Sequence, residues 1–597
     1  MEIGRCASCR APFFSPKAAS ARACSRRPLF FLMGLLLAFS TGCTGLHEYV
    51  SNGFKVGPNY RRPAAPVASQ WIDATDPTLD TQHIQDAAWW RTFNDPVLDT
   101  LVASAYQQNL TLRVAGFRIL EARALRGIVA GELFPQSQQA FGEYSRTGLS
   151  KNGPSSMVPN PYFSDWALGT SLAWELDFWG RFRRAIEAAD ANLDASVENY
   201  DDVLVLLLSE VAQNYTNVRI AEQRLAYARQ NLDIQRGSLR LAEDRLRNGA
   251  TTRLDVTQAL SNVAQTESGI PPLESARRQA VNQLCILLGM PPQNLDAILA
   301  GSVGIPTTPA QVAVGIPAEL LRRRPDVRRA EREVAAQSAM IGIATSDLYP
   351  HFSISGTIFL DATSFKDLFD ANSVAGSVGP SFQWNILNYG RLVNNIRVQE
   401  SRFQQLAVQY QNTVLRANAE AENATIAFLK SQQQARSLSQ AADAARESVD
   451  LVMLQYREGT VDFNRVFDIQ RFLTQQQDQL AVAQGSVDQN LILLYRSLGG
   501  GWQIRLGNAA AEPLPAPGQP AEVAPTPQPA PLQQPPLPTP AGQPTPAMPP
   551  QPPLPPPAGQ PMPAGQPTPA DQPTPAGQPL PTDQPTPAAQ FMPAGQP

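Results

Sequence analysis

Two stretches decide how this chain is read: WELDFWGR at residues 174–181 and WNILNYGR at residues 384–391. Each is Trp, four residues, an aromatic, then Gly-Arg, and they lie 210 positions apart. Working outward, the same offset relates Gly249 of RNGAT to Gly459 of REGTV, and Leu288-Gly289 to Leu498-Gly499. Upstream the offset becomes 215, relating ELFP ending at Pro135 to DLYP ending at Pro350, and Arg113 to Arg328. The chain is therefore a duplication, and the first copy carries five extra residues between Pro135 and Trp174. Insertions settle in loops, and GLSKNGPSSMVPNP at 148–161 has that composition.

Both copies read in one order: helix, strand, loop, strand, very long helix, Gly turn, returning helix. The first helices are predicted at Asp99–Gly131 and Ala318–Ser346. The segment between Gly180 and Gly249 has no proline and only Gly237, and the segment between Gly390 and Gly459 has neither residue. Each is about 68 residues, or ~100 Å of helix at ~1.5 Å per residue. Phe403, Leu406, Tyr410, Val414, Ala417, Ala421, Ala424 and Phe428 recur every three or four positions, which is one packing stripe. Such a helix needs antiparallel neighbours, and the returns begin near Thr252 and Asp462.

The strands alternate. Trp166, Leu168, Thr170, Leu172 and Trp174 oppose Ala167, Gly169, Ser171, Ala173 and Glu175. Phe352, Ile354, Ile358 and Leu360 oppose Ser353, Ser355, Thr357 and Asp361, and Val374, Val378, Phe382 and Trp384 continue the greasy set. An apolar face with aromatic ends over a small, polar face fits a membrane barrel with a wet lumen. A soluble sandwich also alternates. Four strands cannot close a membrane barrel, which takes at least ~8, so the barrel is expected to be shared among copies. Trp174 and Trp384 then sit at the membrane interface, which suits their amphipathic rings.

The ends carry other information. SRRPLFFLMGLLLAFSTGC, residues 25–43, has two arginines, a short apolar run and small residues before a cysteine. That run is too short to span a bilayer and reads as a signal peptide over 1–42. It resembles a bacterial lipoprotein signal, which makes Cys43 the acylated residue, although Ser40 replaces the usual leucine. Cys6 and Cys9 precede this signal, and His47, His83 and His351 are too scattered for a metal site. Of 55 prolines, 33 fall in 513–597, so residues 509–597 are expected to be a disordered or polyproline tail. The net charge of −4 suggests no nucleic-acid partner.

Several stretches resemble the TolC-like outer membrane factor family, its lipoprotein branch in multidrug (RND-type) efflux systems above all. They are GPNYRRP (57–63), WWRTFNDPVLDTLVASAYQQN, GIPPLESARRQAVNQLCILLG and LLRRRPDVRRAEREVAAQSAMIGIATSDLYP (320–350). The resemblance spans residue 57 to about 505. It divides the chain into the signal, a lipid-anchored extension at 43–98, repeats at 99–300 and 301–508, and the tail. It implies a mainly α protein with membrane β: a homotrimer sharing one 12-stranded barrel continued by a periplasmic helical tunnel. It implies a passive exit duct in the outer membrane, working with a periplasmic adaptor and an inner-membrane pump. No cofactor and no catalytic activity are expected.

The resemblance also assigns the far end. The tips Gly249, Ala250, Leu254, Gly459 and Thr460 would meet the adaptor, and Asp255, Tyr456, Arg465 and Asp468 would form a periplasmic gate. Asp255 and Tyr456 match an acid and an aromatic hydroxyl that bond in relatives, while Val461 stands where a supporting arginine is found. Asp255 and Arg465 occupy equivalent places in the repeats and could pair. Two other readings remain open on sequence: a type I protein-secretion duct, and a lipid-anchored structural coiled coil.

Overall fold

A computed structural model describes residues 46–80, 87–150, 152, 161–309 and 311–511. The signal peptide, Cys43 and the proline-rich tail from 512 onward lie outside the described residues. The elements follow in order as α1 (Leu46–Ser51), β1 (Leu79–Asp80), α2 (Pro96–Gln108), α3 (Leu110–Gly131), β2 (Ser137–Gly148) and β3 (Tyr162–Leu176). Then come α4 (Arg181–Arg247), α5 (Arg253–Ser268), α6 (Ile270–Leu287), β4 (Val312–Ala313) and α7 (Pro325–Ser346). The second repeat finishes with β5 (His351–Ala362), β6 (Val374–Gln383), α8 (Arg391–Arg457) and α9 (Phe463–Ser497).

The motif that opened the reading is the turn from strand to long helix. Both α4 and α8 run 67 residues, and each starts immediately after a glycine with φ of 81°. An L side chain is strained in that left-handed conformation. At Gly180 there is also no room, since a Cβ would lie 2.8 Å from Lys55 Cα. The motif tryptophans do equivalent work in both repeats. Trp174 Nε1 donates to Leu133 O at 3.2 Å, and Trp384 Nε1 donates to Leu348 O at 2.9 Å, pinning the strand end to the close of the preceding helix.

Three expected helices are broken, each for a local reason. The predicted 99–131 helix starts earlier, at Pro96, and is interrupted at Asn109, whose extended backbone and side chain cap α3 through Leu112 N at 2.9 Å. The predicted 318–346 helix is split before Pro325, which holds Arg324 extended at ψ 118°. The first return is split at Gly269 because Pro271 and Pro272 remove two N–H donors. In α9 the equivalent places are Ala481 and Val482, and that helix is continuous. Of the five extra residues, Gln136 is one. Its side chain accepts from Glu175 N at 2.7 Å and donates to Glu132 O at 2.8 Å, stitching the added residue into the strand entry.

The four long strands form one antiparallel sheet in the order β2-β3-β5-β6. The central β3–β5 pair joins the repeats, with Ser171 opposite Thr357 and Trp174 opposite Ile354. Strands β2 and β6 are edges. The helices pack below: α7 lies against both α4 and α8, α9 returns along α8 and also contacts α4, and α3 packs on α4. The largest core gathers Trp89, Leu101, Leu208, Tyr215, Leu284 and Tyr495 with their neighbours.

The segment ahead of α2 is more than a tether. It lies along the helices as a strap. A Cβ on Gly57 would meet Gly342 Cα at 2.5 Å. Arg62 Nε donates to Tyr410 Oη at 3.2 Å, Trp71 Nε1 donates to Gly315 O at 2.9 Å, and β1 pairs with β4.

Candidate functional site

The sheet supplies the first candidate surface. Residues directly opposite across strands share a face. One face carries Leu168, Leu172, Ile358, Leu360, Val374 and Val378, with Leu168 facing Leu360 and Leu360 facing Val374. Aromatics bracket this band. At the loop end Tyr144 meets Trp166 with centroids 4.3 Å apart, and Trp166 meets Phe365 at 5.0 Å. At the helix end are Trp174, Phe352 and Phe382. Trp174 is eight positions beyond Trp166, about 26 Å at ~3.3 Å per residue, the height of an outer-membrane apolar band. Among the described residues no helix is long and apolar enough to cross a membrane. The other face is built from Gln139, Ser171, Thr357, Ser377, Ser353 and Ser381. Its base holds His351, whose Nδ1 lies 2.8 Å from Glu175 Oε1. The alternation read from sequence therefore holds, with exceptions: Phe141, Phe163 and Phe359 fall on the polar face.

The helix tips are the second candidate. Helices α4 and α8 end in the same Schellman turn. Gly249 and Gly459 have φ of 70° and 77°. Ala250 N donates to Arg245 O at 2.8 Å, and Thr460 N donates to Gln455 O at 3.0 Å, satisfying carbonyls that a helix end would orphan. The returns are capped differently. Asp462 accepts from Arg465 N at 3.2 Å. In the first repeat Asp255, in the first turn of α5, takes the hydroxyls of Thr251 and Thr252. Gly249, Ala250, Leu254, Gly459 and Thr460 are all exposed.

The structure brings some gate candidates together and leaves others apart. Tyr456 is 1% exposed, inside a tip core with Ala242, Ala259, Val452, Phe463 and Val466. Its ring meets Phe463 edge-on at 5.5 Å. Burial raises its phenol above the ordinary value, the Thr251 hydroxyl and Arg245 guanidinium pull it back, and Asp255 adds to the rise. The Tyr456 hydroxyl is nonetheless buried without a hydrogen-bond partner, and the Thr251 hydroxyl donates to Asp255 Oδ2 instead. Arg465 and Asp468 stand on the exposed side of α9, and among the described residues no ion pair joins Asp255 to Arg465. The sequence reading missed Arg245. Its guanidinium lies 4.6 Å from the Tyr456 ring centre and donates to the Tyr456 carbonyl. An arginine from the first repeat therefore meets the tyrosine that Val461 cannot serve. Its signal in the sequence is faint: one base among several in the last turns of α4.

No group of three or more His, Cys, Asp or Glu that could hold a metal occurs among the described residues.

The model of the outer membrane efflux protein family matches residues 101–290 and 316–500, one segment per repeat. Nodulation protein T of Rhizobium leguminosarum bv. trifolii is 30% identical, covering 75% of this chain and 94% of that protein. Outer membrane protein OprJ of Pseudomonas aeruginosa is 30% identical, covering 80% of this chain and 97% of that protein. The solved outer-membrane channel OprN superposes with a TM-score of 0.71 at 33% identity, covering 75% of this chain and 99% of that one.

Proposed function

This chain belongs to the outer membrane efflux protein family and is an outer membrane duct of tripartite efflux systems, and we propose that its own residues divide that task as follows. The family's channels are trimeric and work with an adaptor and an inner-membrane pump. The observation that carries the reading is the bracketed apolar band on one face of a sheet with two unpaired edges. In a membrane an open edge costs several kcal/mol per unsatisfied group, so β6 of one copy pairs with β2 of the next.

The repeat supplies the docking geometry. Within the chain α7 is held between α4 and α8. Its equivalent α3 packs extensively only on α4. The open side of α3 shows Leu110, Val114, Phe117 and Ile128, with Phe117 62% exposed. A second copy's α8 fills this place, reproducing between chains the contact that α7 makes with α4 inside one. Three copies of two repeats close the ring.

At the tips, Gly249, Ala250, Leu254, Gly459 and Thr460 face the adaptor. Tyr456, Asp255, Arg465 and Asp468 guard the narrow end, with Arg245 clasping Tyr456. Cys43 carries the lipid. Support for that comes from α1, which starts three residues later and rests at the barrel base: Tyr49 Oη donates to Phe178 O at 2.7 Å, and its ring lies 5.5 Å from Trp179. The cargo is small molecules handed over by the pump, and the duct performs no chemistry on them. Purified protein in a planar bilayer is the test. Discrete ion-conducting steps from a trimer are expected, and a water-soluble monomer with no conductance overturns the reading.

A further inference from the structure

From the sheet register, we propose that Phe141 and Phe359 form an aromatic collar in the duct lumen that, with the carboxylates beside it, retains organic cations carrying an aromatic body. The inference rests on the duct reading above.

Apart from these two and Phe163 near the loops, the wall that faces water in such a barrel is small or polar. Phe141, Gly169, Phe359 and Ala375 share one row of that face. The two rings flank the glycine with centroids 6.4 Å apart. Gly169 makes this approach possible, because a Cβ there would lie 2.3 Å from Phe359 Cβ. Large rings on a wetted wall forgo burial worth ~25 cal/mol per Å², so two at one level call for an explanation other than packing.

The next row toward the loops supplies charge of one sign. Glu143, Ala167 and Asp361 are opposite one another, and Asp165 is one step beyond on the same face. Phe163 follows, 43% exposed, on the far side of the carboxylates. The strands place no Lys or Arg on this face. Aromatic faces beside carboxylates attract a cation through the ring quadrupole as well as through charge. The face thus complements a solute with an apolar aromatic body and a positive charge, and it disfavours the equivalent anion. In a trimer two rings from each of three copies occupy the level.

Tetraphenylphosphonium, added on the loop side of a bilayer containing the full-length protein, is the probe. It is expected to block the ion current, and tetraphenylborate, of the same shape and opposite charge, to block far less. Phe141→Ser with Phe359→Ser should raise the half-blocking concentration about tenfold. Glu143→Gln with Asp361→Asn should raise it as well and narrow the difference between the two ions. Each double variant is first shown to remain a conducting trimer; these side chains line a wall and are not needed to build it. An unchanged half-blocking concentration in the phenylalanine variant overturns the collar. Equal block by both ions overturns the preference for cations. A wild-type protein that makes no channel overturns instead the duct reading beneath both.

Discussion

Asp488 is the residue least expected from the sequence. It is 1% exposed within α9, one of its carboxylate oxygens is buried without a hydrogen bond, and burial alone pushes its pKa from 3.8 to about 8. A protonated acid is the form this core tolerates. Since the folded value is raised, folding takes up a proton between the two values. The contribution is fully present below pH 3.8 and is lost as pH rises through about 8. Asp488→Asn should therefore stabilise the trimer by up to about 5 kcal/mol at pH 8 and change little at pH 4, as read from apparent melting temperatures across that range. A variant with the wild-type pH dependence would show that Asp488 is not the group responsible. At the tip, Arg245→Ala removes a stacked cation and a hydrogen bond, together ~1–2 kcal/mol. It should raise conductance and admit larger solutes while leaving the melting temperature nearly unchanged. An unaltered conductance would place Arg245 outside the gate.

At the scale of elements, the contact between α4 and α9 changes character along its length. Midway along α4 it is apolar, with Leu208, Val211 and Val218 in one buried cluster with Val487 and Leu491. Lower down it is a buried polar ladder. Asn231 Nδ2 donates to Gln477 Oε1 at 2.7 Å, Gln470 Nε2 donates to Ser238 Oγ at 2.6 Å, and Asn262 Nδ2 donates to Gln470 Oε1 at 3.2 Å. Gln470 is thus the hub for two helices of the first repeat. Gln470→Leu strands the Asn262 amide in a buried layer, while Ser238 keeps its bond to Ile234 O at 3.1 Å, and should cost about 1–3 kcal/mol. Hydrogen exchange should quicken in α5 and at the tips, and stay slow around Tyr215. Adding Ser238→Ala and Asn262→Leu should recover most of the loss, since an apolar layer of similar volume needs no partners. A triple variant as labile as the single one would mean that packing, not satisfaction of polar groups, governs the layer.

At the scale of the whole molecule, the repeat predicts its own seam. Ser171 faces Thr357 where the two repeats meet, and their repeat equivalents are Ser381 in β6 and Glu143 in β2. Ser381→Cys with Glu143→Cys should therefore give a covalent trimer on oxidation, seen as a reducible high-mass band on denaturing gels. Shifting one cysteine by a single position turns it to the other face and should abolish the band. Equal cross-linking by both designs would refute the register. Much of this architecture was legible in the amino-acid pattern. Duplication, the two 67-residue helices, their Gly turns and the two-faced strands all follow from local rules: 3.6 and 2.0 periodicity, proline's missing N–H, and glycine's access to positive φ. Those rules depend on residues close in sequence, so sequence alone determined these elements and, through the matching repeats, their number. Other features join positions far apart along the chain: the strap from Gly57 to Leu79, the clasp of Arg245 on Tyr456, and the two phenylalanines flanking Gly169. Each depends on which helix or strand lies alongside at a given height. Only the tertiary structure decided them, because a side chain's partner across an interface is set by register and packing, which local periodicity does not encode.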